Sequence, residues 1–215
     1  MSLENISSTK INLIQTKKTL SLAESGRDIL ERKRDVLLRE LRTSLYDAQR
    51  AREELSEALA KAYRNLKEAD MAKGSETVAN VALGSSYEAD FLLDYHSIMG
   101  VTVPIVAFRS ETEVKPDYGF ANTSAELDSA FKQFYGLLGF IAELAQAEGT
   151  VFQIANDVRR TQRRVNALNH VLIPLYRRTV KRIEQVLEEK DREEFVRTKR
   201  IKYMIKEHQE IEPEI

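Results

Sequence analysis

The sequence contains no cysteine, which excludes disulfides, thiolate metal sites and cysteine nucleophiles. Tryptophan is absent and histidine is confined to His96, His170 and His208. No two of these are close in sequence, so imidazole-based metal binding has little to build on. Long apolar runs are missing as well. The longest, from Leu137, stops at Glu143, far short of the ~20 residues that cross a bilayer. Near the N-terminus there is no apolar stretch, and Glu4 stands where a secretory leader would be basic, so a cytoplasmic chain is expected. Neither a Gly-x4-Gly-Lys-Ser/Thr loop nor a His-Glu-x-x-His helix nor a nucleophile elbow occurs. The acidic pairs Glu188-Glu189 and Glu193-Glu194 alternate with Lys190 and Arg192 and read as solvated helix charge. The expectation is a non-catalytic chain with no cofactor and no metal.

Helix breakers are few, and their distribution is informative. None lies between Arg27 and Lys73, and Pro174 is the one breaker between Thr150 and Glu212. Glycine and proline are costly inside helices, so these stretches permit long ones. The layout predicts an N-terminal coiled-coil helix over 1–72, a middle globular or hairpin region over 73–122, and a C-terminal coiled-coil helix over 123–212. Net charge is −1 for 215 residues, which argues against a polyanion binder driven by bulk charge. The total hides an asymmetry. Residues 73–156 carry 4 basic and 11 acidic side chains, and residues 157–215 carry 15 and 11, which suggests surfaces facing different partners.

In the first arm Leu13, Thr16, Leu20, Ala23, Arg27, Leu30, Arg34, Leu37 and Leu41 follow at steps of three and four, and Ala48, Ala51, Leu55, Ala58 and Ala62 continue them. That is the 3.5-residue repeat of a coiled coil. Ile6 and Thr9 extend it backwards, and Leu45, Leu59 and Leu66 fall on an adjoining stripe. Ser7, Ser8 or Thr9 suits an N-cap and Gly74 a C-terminus. Arg27 and Arg34 occupy inward phases, where a long cation keeps its stem at the seam and its head in water, or opens the seam to a third surface. Gly26 is a helix-interior glycine, read either as a close-approach site or as a tolerated weakness.

The second arm begins with Thr123 and Glu126, spaced as a capping box. A wide stripe through Leu127, Phe131, Phe134, Leu138 and Ile141 narrows to Val158, Gln162, Val165, Leu168, Leu172, Leu175, Val180, Ile183 and Leu187. Beyond Leu187 the seam is polar. Pro174 removes one backbone hydrogen bond and crowds the preceding turn, predicting a helix bend near His170–Pro174. The two arms suit an antiparallel hairpin. Matching Ile6 with Ile205 places Leu37 near Pro174 and Ala69 near Ala142. In the middle, β-branched residues on both sides of Met99-Gly100 predict a short β-hairpin, with Pro104 on an edge strand. A piece this small is marginal alone, so Phe91, Leu93, Tyr95, Val103, Ile105 and Phe108 are candidates for docking to a neighbouring protein. Arg159, Arg160, Arg163 and Arg164 form the densest basic cluster, without interleaved aromatics.

Several strings are recognisable together. They are Arg163-Arg164-Val165-Asn166-Ala167-Leu168-Asn169, Ile173-Pro174, Leu187-Glu188-Glu189 with Arg192-Glu193-Glu194, and Lys199-Arg200-Ile201-Lys202. Ala23-x-x-Gly26, Lys33-Arg34-Asp35, Met99-Gly100-Val101 with Pro104, and Tyr118-Gly119-Phe120 accompany them. Taken along the chain they resemble the D subunits of the archaeal and vacuolar-type (A-type and V-type) rotary ATPases, over nearly its whole length and in the expected order. Asn169 departs from the pattern, standing where an acidic residue is expected.

The resemblance implies a mainly α fold: a long antiparallel two-helix coiled coil of N- and C-terminal arms with a small middle region. It implies a central-stalk rotor component coupling ATP synthesis or hydrolysis to ion translocation. The implied partners are the catalytic and non-catalytic subunits of the hexamer, the small F subunit of the stalk and a membrane-ring adapter, with membrane contact only through the complex and no direct nucleic acid contact. The implied place is the cytoplasmic face of the membrane. Candidate hexamer contacts are Lys10, Lys17, Arg27, Arg34, Arg163, Arg164, Arg197, Arg200 and Lys202. The alternative is a coiled-coil scaffold that binds a membrane surface or nucleic acid through its basic flank.

Overall fold

A computed structural model describes residues 7–84, 89–109, 118–119 and 123–211, with backbone alone over 207–211. Ile6, Phe120 and the last residues of the expected C-terminal region lie outside this set. The elements in order are helix α1 (Lys10–Lys73), helix α2 (Ser75–Gly84), strands β1 (Phe91–Ile98) and β2 (Val101–Phe108), helix α3 (Ala125–Ala167), a π-helical turn (Leu168–Leu172) and helix α4 (Ile173–Ile211). The fold is mainly α. A long N-terminal and a long C-terminal helix pack together, with one two-stranded antiparallel hairpin in the middle.

The helix ends follow local chemistry. Thr9 caps α1, its Oγ1 accepting the Asn12 N–H at 3.2 Å. Gly74, at φ 84, closes it by donating its N–H to the Asp70 carbonyl at 2.9 Å, a backbone geometry open to glycine. Thr123 and Glu126, the expected capping-box pair, fall at the start of α3. Ser124 precedes the first residue of α3, and its carbonyl accepts the N–H groups of Leu127 and Asp128. Helix α2 is absent from the sequence-based expectation. It restarts directly after Gly74, with Glu76 in its first turn, and Val78 and Val81 form its apolar side.

The chain divides into two compact units, residues 1–32 with 161–215, and residues 33–160. In the first, Thr16, Thr161, Val165, Ile173, Thr179, Val180 and Ile183 are buried. Beside this seam runs a ladder of polar pairs at steps of seven residues. Lys10 meets Asp191 at 3.7 Å, Lys17 meets Glu184 at 2.6 Å, and Arg177 meets Glu24 at 2.6 Å. In the fourth, the Asn169 amide donates to Glu31 Oε1 at 3.2 Å. From Arg177 to Asn169 the step is eight rather than seven. The π-helical turn takes up the extra residue, the Ile173 N–H reaching back five residues to the Leu168 carbonyl.

This corrects three expectations. The register differs by about ten residues, since Lys10 faces Asp191 and not Ile201; apolar residues near the chain ends are exposed and exert no hold on the pairing. Past the extra residue the seam passes to Ile173 rather than Leu172, and before it Thr161 rather than Gln162 is buried. The disturbance expected at His170–Pro174 takes the form of that wide turn. Proline has no N–H to give the fourth carbonyl back and its ring would strike it, and a wider turn relieves the crowding.

In the second unit Leu37, Val101, Val103 and Ile154 form one core, with Leu41, Ile98 and Val158 against it. Leu37 is therefore packed on Ile154, not on Pro174. Ala69, Val78 and Leu127 form a second core with Leu66, Val81 and Tyr118, so Ala69 lies against Leu127 rather than Ala142. Lys33–Asp157 at 3.1 Å and Arg52–Glu148 at 2.9 Å tie α1 to α3. Ser44, absent from the expected repeat, is buried in it. Strand register runs from Phe91 opposite Phe108 to Ile98 opposite Val101. Met99 (φ 52) and Gly100 (φ 79) make the turn, both with the positive φ of a type I′ hairpin.

Candidate partner-docking surfaces

The hairpin is held by β2. Its outer edge runs along α3, where the Val106 N–H donates to Gln146 Oε1 at 2.9 Å. Pro104, two residues back on the same edge, has no N–H to satisfy, which fits its expected edge position. Its ring lies against Gly149, where an added Cβ would come within 2.8 Å of Pro104 Cγ. Phe108 packs edge-on against Tyr135 of α3, ring centroids 5.3 Å apart, and touches Phe91 at 5.4 Å.

This docking divides the predicted partner-binding residues. Val103 is fully buried in the core and belongs to the support. Ile105 and Phe108 are half-buried. Phe91, Leu93 and Tyr95 are 41%, 59% and 59% exposed and lie on one face of β1, since side chains alternate along a strand. Leu92 and Met99 are exposed nearby. An apolar strand this open is unusual for a surface facing only water.

The cationic candidates fall into three groups. Lys10 and Lys17 are rungs of the ladder, each paired with α4. Arg27 and Arg34 bind the aspartate that follows each, Asp28 at 2.6 Å and Asp35 at 2.7 Å. They are a quarter exposed, as expected of side chains that lie along the seam and turn their heads to water. Asp28 holds the Arg27 guanidinium above its ordinary pKa, through a hydrogen bond against slight desolvation. Arg163, Arg164, Arg200 and Lys202 are exposed and make no ion pair among the described residues, whereas Arg197 reaches Glu193 at 3.9 Å. Every described side chain from Glu188 to Lys206 is exposed.

One surface has no counterpart in the sequence-based candidates. Leu45, Tyr46, Val151, Phe152 and Ala155 line a groove of about 940 Å³ between α1 and α3, edged by Gln49, Arg52 and Glu148. Its signal in the sequence is the adjoining stripe at Leu45, with large residues such as Tyr46 and Phe152 outside the seam phase. Further along, Tyr118 donates its hydroxyl to Asp128 at 2.7 Å and meets Phe131 edge-on. Burial first, then the Asp128 carboxylate, pushes the Tyr118 phenol far above its ordinary range. Among the described residues no cluster of three or more His, Asp or Glu is arranged to hold a metal, and no helix is long and apolar enough to cross a membrane.

Long paired helices with exposed charge, and a small hairpin that offers apolar side chains outward, define a helical protein built for contact with other proteins. The comparisons make that class specific: the chain belongs to the family of ATP synthase D subunits, whose pattern it matches over residues 12–203. It is similar to the D subunit of the V-type ATP synthase of Thermotoga neapolitana, at 39% identity over 92% of this chain and 97% of the relative. It is likewise similar to the D subunit of the A-type ATP synthase of Methanosphaera stadtmanae, at 38% over 96% and 98%. That of Methanopyrus kandleri is 37% identical over 94% and 88%. The chain is thus a component of the rotary A/V-type ATPase class, a protein that works within a larger complex.

Proposed function

We propose that this chain is the rotor axle of its complex, coupling nucleotide turnover in a catalytic hexamer to ion movement through a membrane ring without doing bond chemistry itself. The observation that carries the reading is the change along α4. The helix is clamped to α1 through the ladder, and from Glu188 to Lys206 no described side chain is withdrawn from solvent. A surface of that kind makes contacts that form and break without a large desolvation cost. An axle must also contact similar subunits differently as it turns, so that each contact shifts a nucleotide affinity. Arg163, Arg164, Arg200 and Lys202 are the best placed cations for this, because no acidic side chain among the described residues engages them. Arg197 is a weaker candidate, and Lys10, Lys17, Arg27 and Arg34 serve the stalk first.

The division of labour follows the three regions 1–72, 73–122 and 123–212. The helical arms reach the catalytic and non-catalytic subunits. The open face of β1 (Phe91, Leu93, Tyr95) receives the small F subunit of the stalk and the membrane-ring adapter, with the groove at Tyr46 and Phe152, on the arms themselves, as a further surface for them. Membrane association is then peripheral, on the cytoplasmic face and through the complex. The test is gel filtration of a purified matching hexamer with and without this chain, followed by ATP turnover. One chain per hexamer with altered turnover is expected. Separate elution and unchanged turnover, with nucleotide present, would overturn the axle reading.

A further inference from the structure

We infer that the paired helices contain a flexure joint between two clamped levels, the Glu24–Arg177 pair and the Glu31–Asn169 pair. Both helices are weakened within this one interval. On α1 it contains Gly26, the poorest helix former after proline. A Cβ there would meet nothing within 4 Å, so close packing does not explain the glycine. On the opposite helix it contains the end of the π-helical turn and Pro174. The turn replaces tight hydrogen bonds by wider ones, as from the Ile173 N–H to Leu168 O. Pro174 removes a donor outright. On the packing side Ile173 is the one buried side chain of the interval, and the α1 residue at the seam is Arg27, whose head is turned to Asp28.

The levels on either side are bound differently. Toward the chain ends the Lys17–Glu184 and Arg177–Glu24 pairs are short, and Val180 and Ile183 are buried. On the other side Asn169 holds Glu31, and Val165 and Thr161 are buried. A bend or twist would therefore concentrate between them, where the backbone hydrogen bonds of α4 are interrupted and α1 carries its glycine. Missing or widened backbone bonds are conditions under which local opening is easier. A joint at a π-turn is a recurrent use of that element. Its service as an elastic element under torque rests on the axle reading; its existence does not.

Amide hydrogen exchange on the full chain tests the joint directly. Amides of 26–30 and 170–177 should exchange at least about tenfold faster than those of 161–166 and 180–185. Gly26→Ala should slow the 26–30 group about fivefold. Pro174→Ala should slow the 170–177 group about tenfold or more. Spin labels at Asn166 and Gln185 should give a distance distribution that narrows in Pro174→Ala. Uniform exchange across 161–185 in the unmodified chain would overturn the inference. So would unchanged rates in a helical Pro174→Ala chain. Should that variant not fold, unchanged rates in Gly26→Ala would overturn it alone, since that site has open space.

Discussion

Replacing Gly149 with alanine separates helix propensity from close packing. Alanine gains about 1 kcal/mol over glycine inside a helix. At Gly139, also within α3, a Cβ meets nothing within 4 Å, so Gly139→Ala should realise most of that gain. At Gly149 the same Cβ lies 2.8 Å from Pro104 Cγ. A pyrrolidine ring has no rotamer with which to withdraw, so β2 itself must move by several tenths of an ångström. That movement pulls on the Val106 N–H bond to Gln146, 2.9 Å long and one helical turn away. Overpacking of this sort costs about 1–3 kcal/mol, and a weakened hydrogen bond up to about 1 kcal/mol more. Set against the propensity gain, Gly149→Ala should destabilise by roughly 1–3 kcal/mol. Because the chain has two compact units, the assay is hydrogen exchange of the β2 amides beside far-UV denaturant melts, with Gly139→Ala as control. Pro104→Ala should relieve the clash, so the double variant should be more stable than the single effects add up to. If Gly149→Ala stabilises as much as Gly139→Ala, the hairpin is not docked through Gly149.

Met99→Asn should stabilise the hairpin by about 0.5–1 kcal/mol, because asparagine accepts the positive φ that methionine is forced into before Gly100; unchanged exchange of the Ile98 and Val101 amides would contradict the turn assignment. Tyr118→Phe should cost about 1–2 kcal/mol by stranding the half-buried Asp128 carboxylate, read from exchange of the α2 amides that pack beside it. The phenol's pKa is raised in the folded chain, so its contribution is complete below the unfolded tyrosine value of about 10 and is lost as pH rises toward the folded value. An alkaline melt should therefore show a decline above about pH 10 that Tyr118→Phe lacks. Lys17→Glu places two carboxylates on one rung and should destabilise by about 0.5–1 kcal/mol at low salt. Adding Glu184→Lys should restore the loss, and a failure to do so would show the ladder to be decorative.

What the sequence makes legible is what depends on local pattern. The run of steps through Leu13, Leu20 and Leu37 specifies a helix, Gly74 its end, and Met99-Gly100 a hairpin, because neighbouring atoms impose each of these. The π-helical turn is legible only as a proline problem. Whether a helix answers proline by bending or by widening depends on what faces it, and here Asn169, within the turn, donates to Glu31. The partner surfaces are legible in type but not in member: Val103 and Tyr95 alternate on one hairpin with similar apolarity, and only the docking of β2 on α3 decides which of them is spent in the core.

Register is least legible, and the reason is symmetry. A seam repeating every seven residues presents equivalent positions again after a slip of seven, so apolar burial barely distinguishes one pairing from the next. Charges break the symmetry because their order reverses along the ladder. On α1 it runs Lys10, Lys17, Glu24, Glu31, and on α4 Asp191, Glu184, Arg177. Slipping one heptad in one direction would set Lys17 against Arg177, and in the other Glu24 against Glu184. Each exposed pair alone is worth little. A slip, however, loses attractive rungs and gains a repulsive one together, and the difference between registers exceeds the worth of any single pair. The apolar repeat therefore says that the helices pair, and the sign reversal between Lys17 and Glu24 says where.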